Sequence, residues 1–105
     1  MLVSDVERHA DEAVITLRGE LDLSSGHVLR DAADEAMTAR PARLVLDLSA
    51  LTFCDSTGLS ELIRLYQRTQ QAGTELVLDR PTPRVDRILA ATGLDTILSI
   101  QNRTP

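Results

Sequence analysis

The chain has 105 residues, a formal net charge of −5, eleven basic residues that are all arginine, and 43% apolar residues. The acidic balance, with no basic patch interleaved with aromatics, argues against a nucleic-acid partner. A single cysteine, Cys54, excludes an intrachain disulfide and a cysteine-based zinc cluster. No apolar run approaches the roughly 20 residues that span a bilayer. Residues 1–7 lack a basic stretch followed by an apolar one, so no signal peptide is expected. The expectation is a soluble cytoplasmic protein with no membrane partner, folded as one domain over residues 1–105. Phe53 and Tyr66 are the only aromatics, so the core must come from Leu, Val, Ile and Ala. That suits helices packed on a sheet with parallel strands, which read as aliphatic runs.

Residues 2–10 read as a first strand, Asp11-Glu12 as a turn, and residues 13–20 as a second strand, which makes an antiparallel hairpin. Gly19 breaks the pattern of the second strand. Ser24 and Ser25 are candidate N-caps for a helix over residues 26–39, whose Val28, Leu29, Ala32, Ala33, Ala36 and Met37 recur with a 3.6-residue period. Arg40-Pro41 ends it, because a residue before proline disfavours the helical region.

Residues 43–48 form an aliphatic, central strand, followed by a short loop. Asp55-Ser56-Thr57-Gly58 opens a helix with Leu59, Leu62, Ile63 and Tyr66 on one face, closed at Gly73. Residues 75–79 are the next strand. Arg80-Pro81-Thr82-Pro83 turns into a short helix with Val85, Ile88 and Leu89 inward, which stops at Gly93. Residues 94–100 hold a last short strand or helix, and the polar tail 101–105 is expected to fray. The order β-β-α-β-α-β-α predicts an α/β domain. Its sheet is mixed, mostly parallel, with four to five strands packed by three to four helices and an ordered core over residues 2–100.

Two constellations carry candidate chemistry, both at strand ends that precede helices. Open α/β sheets place ligands at that edge. Ser56 puts a hydroxyl at a helix N-terminus, where unpaired N–H groups and the helix dipole favour negative charge. It can cap the helix or carry a phosphate there. Thr57 is the competing acceptor, read as the first helical residue. Gly58 costs about 1 kcal/mol of helix propensity against alanine, which implies a close approach to its backbone, by a partner, a nucleotide phosphate or the junction itself. Gly19-Glu20-Leu21-Asp22 is the second constellation. Asp22 and Asp55 would form an acidic rim around Ser56, and a magnesium ion brought by a nucleotide favours such oxygen ligands. Alternatively Asp22 is a solvated loop acid or a cap.

The remaining residues point to no site. Cys54 reads as a buried structural thiol, and His9 and His27 lack metal-ligand spacing, so neither a metal nor a cofactor is expected. Arg64, Arg68, Arg84 and Arg87 read as helix-surface charges. An enzyme is disfavoured because a nucleophilic serine needs a base within reach, and Gly-x-Ser-x-Gly is absent. Nor is there an Asp-Thr-Gly or Asp-Ser-Gly of the aspartic-protease kind.

Gly-Glu-Leu-Asp before the first helix, Leu-Asp-Leu-Ser-x-Leu-x-Phe-x-Asp-Ser-Thr-Gly-Leu before the second, and Ile-Leu-x-x-x-Gly-Leu near the end resemble the STAS domains. Within them, the likeness is to the bacterial anti-sigma factor antagonists. The resemblance implies a binding protein that, unphosphorylated, engages an anti-sigma factor serine kinase with a histidine-kinase-like ATPase fold. It implies release of that complex by phosphorylation at Ser56, reversal by a serine/threonine phosphatase, and a partner-facing edge containing Asp22, Asp55, Ser56, Thr57 and Gly58. Residues 24–30 match that pattern less well. A monomer is expected. The same fold could instead serve as a stand-alone subunit of a lipid transporter or signalling assembly.

Overall fold

The computed structural model describes residues 1–103. β1 (Leu2–His9) and β2 (Glu12–Leu21) form the expected antiparallel hairpin. α1 (Gly26–Met37), β3 (Arg43–Cys54), α2 (Ser56–Ala72), β4 (Glu75–Asp79), α3 (Pro83–Ala91), a 3-10 turn (Leu94–Thr96) and β5 (Ser99–Gln101) follow. The strands lie in the order β1-β2-β3-β4-β5, and every pair after the first is parallel.

Each parallel strand is added on the same side of the last. Right-handed crossovers then bring every helix onto one face of the sheet. The core agrees. Ile15, Leu17, Leu44, Leu46, Leu76 and Leu78 share one buried cluster with Leu29 of α1, Leu62 of α2 and Leu89 of α3. Val45 and Val77 are buried but stand outside that cluster, on the opposite face. There, ion pairs flank the in-register row Val14, Val45 and Val77. Arg43 reaches Glu12 and Glu75 on one side, and Arg80 reaches Asp47 and Asp79 on the other. Paired charges keep the uncovered face of a parallel sheet from being an apolar patch.

Three elements depart from the sequence reading, each for a tertiary reason. Gly19 does not break β2; it pairs with Leu2, at φ 112°, and the Met1 carbonyl occupies the space a side chain would need. β3 does not stop at Leu48. It continues to Cys54, because the ten-residue β2 runs alongside the twelve-residue β3 through two bulges, between Asp47 and Ala50 and between Leu51 and Phe53. A bulge erases the alternation by which a strand is recognised. The tail does not fray at residue 101. Gln101 ends β5, Asn102 donates to Asp79 at 2.7 Å, and Arg103 meets Asp86 at 2.6 Å. Residues 104–105 of the expected frayed tail lie outside the described residues.

Candidate functional site

The parallel strands end at Leu21 and Cys54, which are register partners, so the β2–α1 loop and the start of α2 meet at one edge of the sheet. The Asp55 N–H points at the Leu21 carbonyl, 3.4 Å away. Asp55 keeps the extended backbone of β3, with φ −100° and ψ −171°, and its Oδ1 accepts the Gly58 N–H at 2.9 Å. Asp55 is therefore the N-cap. The register is one residue earlier than the sequence suggested: Ser56, not Thr57, is the first helical residue. A carboxylate at this position satisfies an orphan N–H and also complements the helix dipole.

The cap assignment frees Ser56. Its side chain is exposed, and its hydroxyl makes no hydrogen bond among the described residues; only its carbonyl is engaged, by Ser60 Oγ at 3.1 Å. Thr57 is half-buried and Gly58 is buried. A Cβ on Gly58 would lie 2.4 Å from the Leu21 oxygen and 2.8 Å from Cys54 Sγ, so the close approach at this glycine comes from the chain's own β2 and β3 ends.

The β2–α1 loop is locked from within. The Asp22 carboxylate accepts the Ser24 N–H at 3.0 Å and the Ser24 hydroxyl at 2.8 Å. The buried Ser25 hydroxyl accepts the Asp22 N–H at 2.9 Å and donates to the Glu20 carbonyl at 2.8 Å. The Ser24 hydroxyl bond, more than any other contact, holds the Asp22 carboxyl below its ordinary value; lost hydration opposes it, and Ser25 reinforces it. Ser25 sits at the N-cap position of α1, but its hydroxyl faces back into the loop and makes no cap bond. Asp22 and Asp55 thus flank the edge with their carboxylates turned to their own backbone. No three His, Cys, Asp or Glu side chains among the described residues are placed to hold a metal. His9 pairs with Glu7 at 3.0 Å, and its β partner Glu12 starts β2, at the edge opposite Ser56.

Cys54 is buried, and desolvation, helped by the Asp55 charge, pushes its thiol up to about 12. Arg84 stacks over the Phe53 ring, 5.6 Å from its centroid. Two of the arginines read as helix-surface charges are exposed and also form ion pairs: Arg64 with Glu61 at 2.9 Å, and Arg68 with Asp34 at 2.5 Å. Glu61 was missed by the sequence reading. Its side chain is only 4% exposed and also binds Arg30 at 2.7 Å, clamping α2 to α1 over a groove of ≈ 290 Å³. The signal was available. Gly58, Glu61, Leu62, Leu65 and Thr69 recur at helical spacing, and all of them are buried.

Residues 4–100 match the family model described as "Mlab, STAS domain". The chain belongs to the STAS family. This STAS domain is 34% identical over 97 residues to the anti-sigma F factor antagonist of Paenibacillus polymyxa, a match covering 91% of the chain and 83% of that protein. It is 30% identical over 96 residues to the anti-sigma-B factor antagonist of Listeria monocytogenes, covering 91% and 84%. The crystal structure of an anti-sigma factor antagonist from Mycobacterium paratuberculosis superposes with a TM-score of 0.86 at 27% identity, over 97% of this chain and 86% of that one.

Proposed function

We propose that this STAS domain is an anti-sigma factor antagonist that acts by partner switching and has no catalytic activity of its own. Unphosphorylated, it binds an anti-sigma factor with a histidine-kinase-like ATPase fold through the edge that carries Asp22, Asp55, Ser56, Thr57 and Gly58, and so frees the sigma factor. The kinase then transfers the γ-phosphoryl group of ATP to Ser56 Oγ. The new O–P bond replaces the β–γ bond, ADP leaves and the serine proton is lost. The complex separates, and a serine/threonine phosphatase hydrolyses the ester. The domain works as a cytoplasmic monomer.

One observation carries this reading: Asp55 caps α2, so the exposed Ser56 hydroxyl is free for modification without loss of the helix start. A phosphate adds about −1.5 to −2 charges at that edge. The helix N-terminus stabilises such charge by roughly 0.3–1 kcal/mol, so the globule keeps its fold while its docking edge turns strongly anionic. The antagonist names of the two relatives support this role over the transporter-subunit alternative.

The test is intact-mass analysis after incubation with candidate anti-sigma factor kinases, ATP and magnesium. One phosphate is expected on the wild-type chain and none on Ser56→Ala. Ser56→Ala keeps binding, and Ser56→Asp weakens it. A phosphate that persists on Ser56→Ala, or a phosphorylated form that binds as tightly as the bare one, overturns the reading.

A further inference from the structure

We infer that Leu23 is the apolar anchor by which this domain docks, filling an apolar pocket on the same anti-sigma factor kinase that modifies Ser56; this rests on the antagonist function proposed above. Leu23 is 82% exposed. Apart from Met1, no large apolar side chain among the described residues is as exposed. A lone surface leucine ordinarily needs no explanation. This one stands on a loop whose backbone is fixed on both sides. Leu21 before it is fully buried, and Ser25 and Gly26 after it are buried. Between them, the Asp22 carboxylate holds Ser24, and the Ser25 hydroxyl holds the Asp22 N–H and the Glu20 carbonyl. The hydroxyls of Ser24 and Ser25 are spent within the loop, and the leucine stands out from it.

Two further facts tie Leu23 to the switch. The loop that carries it and the start of α2 meet without an intervening side chain, because Gly58 packs directly on the Leu21 carbonyl. Leu23, two residues past Leu21, therefore lies at the same sheet edge as Ser56, two residues past its register partner Cys54, where one partner face can span both. A rigidly presented apolar side chain loses little conformational freedom on binding, which is the condition for an anchor seated in a pocket. Asp22, on the same partner-facing edge, holds the loop that presents Leu23.

The experiment is calorimetric titration of the full chain against the kinase that labels Ser56, together with kinetics of the labelling reaction. Leu23→Ala is expected to weaken binding about tenfold. It raises KM for the chain as phosphorylation substrate, leaves kcat in place, and leaves the melting temperature unchanged. Leu23→Met retains the affinity. Asp22→Ala weakens binding with Leu23 still present, because the loop is released. Leu23→Ala binding as tightly as wild type overturns the inference alone, whereas a wild-type chain that binds no such kinase overturns the antagonist function itself. A concentration-dependent dimer abolished by Leu23→Ala would assign the residue to contact with a second copy, and also overturns the inference.

Discussion

Replacing Gly58 by alanine sets two effects of opposite sign against each other. Alanine in a helix interior is favoured over glycine by about 1 kcal/mol, so helix propensity alone predicts a more stable protein. The new methyl group, however, would lie 2.4 Å from the Leu21 carbonyl oxygen and 2.8 Å from Cys54 Sγ. Overpacking of a tight site costs typically about 1–3 kcal/mol, and backbone cannot swing aside as a flexible side chain can. If α2 lifts to make room, the Asp55 cap bond at 2.9 Å opens as well, a loss of about 1 kcal/mol. The net expectation is destabilisation by about 1–3 kcal/mol. For a domain of this size that lowers the melting temperature by about 4–8 °C per kcal/mol. Urea and thermal unfolding followed by circular dichroism measure it. Cys54→Ala in the same chain removes the sulfur contact but leaves the carbonyl in place, so it does not rescue Gly58→Ala. A Gly58→Ala protein as stable as wild type would refute the claim that the switch helix seats on the end of β2.

Asp22 has a depressed carboxyl pKa in the fold, so its contribution to stability is complete above its ordinary value near 3.8 and fades as pH falls through the lower folded value. Asp22→Asn should therefore flatten that part of the acid limb of a stability-versus-pH curve, and an unchanged limb would count against the loop lock. Cys54, with its thiol pushed up to about 12, should resist iodoacetamide at pH 8 in the native protein and react in urea; labelling without denaturant at the rate of a free thiol contradicts its burial. Arg30→Ala and Arg64→Ala should each cost no more than about 1 kcal/mol, since both guanidinium groups are more than half exposed and the other still pairs with Glu61. The double variant strands a buried carboxylate and should cost about 3–5 kcal/mol, more than the sum, in urea denaturation; simple additivity would remove Glu61 as the shared partner.

Local patterns made most of the fold legible. The aliphatic run at Leu44–Leu46–Leu48, the 3.6-residue spacing of Leu29, Ala33 and Ala36, and glycines at 73 and 93 each mark an element by interactions within a few residues. The hydroxyl at residue 56 and its acidic neighbour were legible for the same reason. Less visible were features whose cause lies across the sheet. β3 runs on past Leu48 because β2 offers partners that tolerate two bulges, and Gly19 stays in β2 because the Met1 carbonyl packs on it.

The sequence by itself determined an α/β domain with a serine where a strand hands over to a helix, because hydrophobic period, glycine stops and cap residues act over a single turn. Only the tertiary structure decided which residue caps. Asp55 wins because it inherits the extended backbone of β3 and so aims its carboxylate at the Gly58 N–H. In the folded domain the Asp22 carboxylate turns back on its own loop, Leu23 points outward, and Glu61 is buried between two helices. The burial of Glu61 depends on Arg30, thirty-one residues away on another helix, and no short-range pattern encodes that meeting.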